Sequence, residues 1–210
     1  DKHVLTEMNS LLDDGVHGIE QISEIVLNLK NFSRLDRERV TNFSVEAGLD
    51  STLLLARNLL KDHIQIRKDY GLVPEISGSP SQVNQVFLNL ITNAAQAMPE
   101  RDTPNIITLR TSLAPEGNMV QIEIQDNGSG IPEEVLPRIF DPFYTTKPIG
   151  QGSGMGLSIS FKIIEEHGGR ILVDTVKDTG TVFTILLPLN AATTDTDNAA
   201  AGNADALFAD

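Results

Sequence analysis

The sequence predicts an α+β fold, a two-layer sandwich in which helices cover one face of a mixed, largely antiparallel sheet, preceded by a long N-terminal helix. Three observations point there. Apolar residues recur at three- and four-residue steps in separate segments, the signature of helices with one buried stripe. Alternating segments come in adjacent pairs, 106–112 with 120–125 and 170–176 with 181–187, and read as two hairpins. Adjacent strand pairs, rather than strands alternating strictly with helices, favour an antiparallel sheet with helices on one side.

The elements follow in order. Over 11–35, Val16, Ile19, Ile22, Ile25, Val26, Leu29 and Phe32 make an apolar stripe, and Ile19, Ile22, Val26 and Leu29 fit a coiled-coil seam. This helix is expected to find a partner helix. Residues 40–46 read as a short strand. Residues 50–63 read as a Leu-rich helix capped by Asp50 or Ser51. Residues 64–67 alternate as a strand would. Gly78-Ser79-Pro80 introduces a second strong helix, 81–98, stopped by Pro99. After the first hairpin, 126–156 is a loop-rich stretch with two glycine clusters. Residues 157–167 form a helix closed by Gly168-Gly169, and the second hairpin turns across Lys177-Asp-Thr-Gly180. Residues 190–210 are Ala, Thr, Asn and Asp with no basic residue, and read as an acidic low-complexity tail. The predicted organisation is a partial helical segment (1–39), a core domain (40–189) and the tail.

Composition narrows the chemistry. The 210 residues suffice for one domain plus an appendage, and 40% of them are hydrophobic. With no Cys there is no disulfide, thiolate nucleophile or Cys-ligated metal. A net charge of -13 argues against a nucleic-acid surface. No apolar run reaches the length of a membrane span and no signal peptide is visible, so no membrane contact is expected of this stretch. The chain opens on Asp1 rather than Met, and is expected to be part of a longer protein with targeting or sensing segments upstream.

Four short motifs carry chemistry. On the 81–98 helix Asn89, Asn93 and Gln96 are spaced four and three apart and share a face. Asn is a poor mid-helix residue, because its side chain competes for backbone hydrogen bonds. Two on one face suggest that their amide oxygens are wanted, and a hard cation such as Mg²⁺ takes oxygen ligands shared with substrate phosphates. A polar solvent face explains them equally. The strand 120–125 then ends in Asp126-Asn-Gly-Ser-Gly130. An Asp at a strand end, beside glycines that let a ligand approach, can accept a hydrogen bond from an amino group such as that of adenine. The competing reading is a tight turn. A calcium loop fails, because the position that needs Glu is Pro137.

The third motif, Phe140-Asp-Pro-Phe-Tyr144, sits between the glycine clusters and suits a lid over a ligand that stays anchored to the core. The fourth is Gly150-Gln-Gly-Ser-Gly-Met-Gly-Leu157. It lacks the Gly-Lys-Ser/Thr ending of a P-loop, and Leu157 stands where a dinucleotide fingerprint needs its third glycine. What remains is a glycine-lined turn feeding a helix N-terminus, where open N–H groups and the helix dipole favour an anion such as phosphate. Lys147 adds a positive charge nearby.

Taken in order, Asn-x-x-x-Asn, Asp-x-Gly-x-Gly, Phe-x-Pro-Phe and Gly-x-Gly-x-Gly-Leu resemble the catalytic ATP-binding domain of bacterial sensor histidine kinases, within the wider family of gyrase, Hsp90 and MutL ATPases. The resemblance covers about residues 15–189, and Gly180-Thr181 to Pro188 matches the family's final strand. It implies ATP and Mg²⁺ as cofactors, with Asn93 as the Mg²⁺ ligand and Asn89 and Gln96 near the phosphates. Asp126 would receive the adenine amino group, with Gly128, Gly130 and Ile131 shaping the pocket and Thr181 contacting the base. Tyr144, Lys147, Gly152, Ser153, Gly154, Met155, Gly156 and Leu157 would form the lid and phosphate side.

It further implies a cytoplasmic enzyme, membrane-anchored upstream or not, that dimerises when intact and passes a phosphoryl group to a response-regulator receiver domain. The related ATPases carry a water-activating Glu where this chain has Asn89, so slow hydrolysis is expected. No histidine fits as phosphoacceptor: His3 and His17 lack the family's flanking residues. The 11–35 helix resembles the second helix of the dimerisation hairpin, ending in Asn31-Phe-Ser-Arg34, and the first helix is expected to be missing. The alternatives are a nucleotide- or partner-binding regulatory module that transfers nothing, and a serine kinase of the anti-sigma type, which generally lacks the long N-terminal helix.

Overall fold

The structure, a computed structural model, describes residues 40–60, 64–99, 103–148 and 152–189, with Met8 and Gly15 as isolated positions. The expectations for the 11–35 helix and for the tail lie outside the described residues. Within them the chain runs β1 (Thr41–Phe43), α1 (Val45–Leu55), α2 (Arg57–Leu60), β2 (Ile64–Tyr70), β3 (Ile76–Gly78) and α3 (Pro80–Gln96). It continues through β4 (Asn105–Leu113), β5 (Met119–Asp126), a 3₁₀ turn (Leu136–Arg138), α4 (Gly156–Glu166), β6 (Arg170–Val176) and β7 (Gly180–Pro188). A five-stranded sheet has the order β2-β4-β5-β7-β6. Only β2 and β4 pair in parallel; β4–β5, β5–β7 and β6–β7 are antiparallel. The mixed, largely antiparallel α+β sandwich is as expected.

Alternation explains the layers. Along β5, Val120, Ile122, Ile124 and Asp126 are buried while Gln121, Glu123 and Gln125 face the other way. The inward residues of β4, β5 and β7 meet Phe87, Leu90 and Ile91 of α3 and Ile159, Ile163 and Ile164 of α4 in one core. Each such side chain contributes roughly 1.5–3 kcal/mol by leaving water. On the opposite face Arg110 bonds Glu123 at 3.2 Å and Gln125 at 2.9 Å.

Several element boundaries differ from expectation. The helix expected from residue 50 begins at Val45, because Ser44 caps it: its hydroxyl accepts the Ala47 N–H at 3.2 Å. Asp50, expected as a cap, instead accepts from Lys68 Nζ at 2.8 Å and from the Tyr70 hydroxyl at 3.0 Å. Those partners lie on β2, which runs on to Tyr70 past the expected end at 67. The helix also breaks at Ala56 into α1 and α2. The first strand is shorter than expected, since Ser44 already belongs to the cap. β3 has no counterpart in the sequence reading; it pairs with β1 in a separate two-stranded sheet. Ser79 caps α3, accepting from the Gln82 N–H, and Pro80 takes the first helical position, where no N–H is needed.

Candidate functional site

α3, the ends of β5 and β7, and the segments 129–147 and 152–157 enclose a cavity of about 570 Å³. Its deep end is Asp126, only 4% exposed. Asp126 Oδ1 accepts the backbone N–H of Gly128 at 2.8 Å and of Thr181 at 3.3 Å. Burial pushes the Asp126 carboxyl above the ordinary carboxylate range, and those two N–H bonds oppose the shift. β5 carries Asp126 inward because it continues the buried parity of Val120, Ile122 and Ile124.

The turn after β5 is held from both sides. Ser129 N–H donates to the Ala97 carbonyl at 3.0 Å, and Ile131 N–H donates to Thr175 Oγ1 at 2.9 Å. Gly130 has φ +67°, and a Cβ there would lie 2.3 Å from the Val176 carbonyl oxygen. Glycine is therefore required at this position by both conformation and space. Thr175 Oγ1 also lies 3.0 Å from Thr181 Oγ1, tying the two hairpin strands together at the cavity.

α3 supplies the second wall through Asn89, Thr92, Asn93 and Gln96. Asn89 Nδ2 donates to the Gly156 carbonyl at 3.1 Å and to Ser160 Oγ at 3.2 Å, binding α3 to the first turn of α4. Lys147 Nζ donates to Asn93 Oδ1 at 3.2 Å and to Gln96 Oε1. Two amide oxygens one helical turn apart thus hold a cation. The start of α4 has no side-chain cap: Met155 stands at its N-cap position. Open N–H groups of that first turn are the feature that attracts anions.

The remaining wall is the aromatic loop. Phe140 packs on Phe161 of α4 with ring centroids 5.3 Å apart, anchoring the loop as expected. Phe143 has φ +64° and is 63% exposed, so it is not part of that anchor. Gly154, at φ +67°, lies so close to Phe143 that a Cβ would sit 2.4 Å from its carbonyl carbon. Tyr144 lines the cavity, with the Arg138 guanidinium 4.3 Å from its ring centroid.

Of the residues singled out in the sequence, Asn89, Asn93, Gln96, Asp126, Gly130, Ile131, Tyr144, Lys147, Gly152, Ser153, Gly154, Gly156, Leu157 and Thr181 line this one cavity. Two do not. Gly128 lies behind Asp126 against the Ala97 carbonyl, where a Cβ would come within 2.7 Å. Met155 points into the core and is 5% exposed. Sequence reasoning missed Thr92, Val135, Ile139 and Phe183, which line the cavity, and Thr175, which bonds the lining residues Ile131 and Thr181. Thr175 carries a readable signal, a lone polar residue in the inward parity of β6 after Ile171 and Val173.

Comparison with known proteins places the chain in a family and matches its fold. Residues 78–191 match the family model of histidine kinase-, DNA gyrase B- and HSP90-like ATPases. The chain is 42% identical over 182 residues to the sensor kinase CckA of Brucella abortus, covering 79% of this chain and 19% of that protein. It is 36% identical over 165 residues to sporulation kinase E of Bacillus subtilis, covering 79% and 20%. The chain thus spans about a fifth of the length of these two relatives. Among solved structures, the nucleotide-free catalytic domain of histidine kinase ThkA superposes with a TM-score of 0.63 at 28% identity, covering 72% of this chain and 99% of that domain. A mycobacterial sensor histidine kinase, MprB, superposes with a TM-score of 0.60 at 25% identity over 74% and 99%. The family model alone spans more than half of the 210 residues, from β3 through the last strand, and the chain belongs to the histidine kinase-, DNA gyrase B- and HSP90-like ATPase family.

Proposed function

We propose that this chain is the ATP-binding catalytic core of a two-component sensor histidine kinase, donating the γ-phosphoryl group of ATP to a histidine on another segment for relay to a response-regulator Asp. The observation that carries the reading is convergence in one cavity. A buried carboxylate, a pair of amide oxygens already holding a cation, and an uncapped helix start are assembled there. Asp126 accepts from the adenine amino group, oriented by the Gly128 and Thr181 N–H groups on its Oδ1. Thr181 and Ile131 flank the base. The phosphates lie toward the first turn of α4 and Lys147.

Mg²⁺ fits the donor set, because Asn93 offers an amide oxygen to a cation; when bound, the ion neutralises charge on the phosphate oxygens. Asn89 holds α4 against α3 and offers no base, so transfer to an imidazole rests on positioning rather than on water activation. The names of the relatives, a sensor kinase and a histidine kinase among them, support a two-component role with a receiver domain as partner; a homodimer as the intact assembly and a cytoplasmic compartment complete the proposal. Titration with a fluorescent ATP analogue tests the reading. Asp126→Asn and Asn93→Asp are each expected to weaken binding by about tenfold or more, the scale of one charge-assisted hydrogen bond. Unchanged affinity in both variants refutes the assignment.

A further inference from the structure

The contact between Lys147 and α3 joins a cationic side chain to the Asn93 oxygen proposed for the metal and to the Gln96 oxygen beside it. Asn93 and Gln96 lie one helical turn apart, and their Oδ1 and Oε1 both accept from Lys147 Nζ. An ammonium needs oxygen acceptors in directions set by its three N–H bonds, and two neutral amide oxygens supply them at no charge cost. A divalent ion needs the same lone pairs. The two cations cannot share Asn93 Oδ1, because like charges in contact repel and the oxygen would have to coordinate both. A Cβ on Gly152 would fall 3.0 Å from the Lys147 Cδ, so the missing side chain at Gly152 leaves room for the lysine stem.

We propose that Lys147 is a tethered counter-ion that exchanges with the divalent cation at Asn93 and Gln96. Without metal, its ammonium occupies the amide oxygens and offers the nucleotide phosphates a positive charge at the metal's position. When the metal arrives, Lys147 leaves those oxygens. This rests on the ATP reading above. Its consequence is that nucleotide binding by the native chain depends less on metal than it would with the ammonium removed.

Two measurements on the 210-residue chain test this, comparing the native protein with Lys147→Met, which keeps the apolar stem and deletes the charge. First, in protein without metal or nucleotide, the side-chain amide NMR signals of Asn93 and Gln96 are expected to move in the variant. Second, the affinity for a non-hydrolysable ATP analogue is measured with Mg²⁺ and with a chelator. The dissociation constant with chelator divided by that with Mg²⁺ is expected to rise roughly tenfold in Lys147→Met, because the metal-free complex loses the cation at Asn93 while the metal complex keeps the divalent ion there. If Lys147 and the metal act at separate places, both constants change by the same factor; an unchanged ratio, or unmoved amide signals, overturns the proposal. Failure of the analogue to bind either protein in either condition would defeat the ATP reading itself, while the amide signals would still judge the lysine contact.

Discussion

Asp126 shows what one residue does in two environments at once. Its carboxyl is buried and pushed upward, yet Oδ1 is held by two backbone donors. The folded state therefore holds the Asp126 proton more tightly than the unfolded chain, where 3.8 is the ordinary value. It follows that ionised Asp126 costs stability as pH rises from that value through the raised one. Asp126→Asn removes that cost and keeps an oxygen for both N–H groups, so it is expected to gain stability on the native chain across this window. Thermal melts of both proteins from acid to neutral pH measure the difference. Ligand binding has the opposite sense. Nucleotide affinity should weaken as pH falls through the raised value, because a protonated acceptor faces the amino group poorly, and the analogue titration repeated at each pH reports it. The sequence singled out Asp126 by its place at a strand end. It did not show the burial, which comes from α3 and β7 closing over that end.

At the scale of elements, the junction between α4 and α3 is made by His167. Ser79 N–H donates to His167 Nε2 at 3.0 Å, which leaves Nδ1 to donate to the Ile163 carbonyl at 2.7 Å. Gly78 permits the approach, since a Cβ there would lie 2.7 Å from the ring. One imidazole thus ties the end of α4 to the start of α3, and so braces two walls of the cavity. His167→Ala is expected to destabilise by about 2 kcal/mol, the penalty of removing the Nε2 acceptor from the Ser79 N–H of a buried residue, and to lower Tm by roughly 4–8 °C. A melt of the variant checks this, and an unchanged Tm would mean that water replaces the ring at no cost. Helices and hairpins were legible because their periodicities are long. β3 was not: its three residues lie between Pro74 and Pro80 and become a strand only by pairing with β1. The start of α1 was misread for a related reason, since Ser44 and Asp50 are equally good caps in isolation and packing chooses between them.

At the scale of the whole chain, the question is whether it phosphorylates itself. His167 is committed to the α3–α4 junction by both ring nitrogens. His3, His17 and His63 lie outside the described residues, and none carries the flanking residues expected of a phosphoacceptor. Incubation with γ-labelled ATP is therefore expected to leave the chain without acid-labile label. Adding a separately expressed helical segment that bears a phosphoacceptor His should place label on that segment. A labelled histidine on the 210-residue chain would contradict this.

By itself the sequence determined the two-layer α+β class, the two hairpins, the amide face of α3 and the glycines before α4. These are patterns of period and local conformation, which neighbours in the chain impose on each other. Only the tertiary structure decided which of those glycines meet the cavity, that Met155 belongs to the core, that His167 joins two helices, and that Lys147 reaches back to Asn93 and Gln96. Those facts depend on partners separated by roughly 50 to 90 positions along the chain. Long-range pairing of that kind leaves no period in a sequence and is settled by packing.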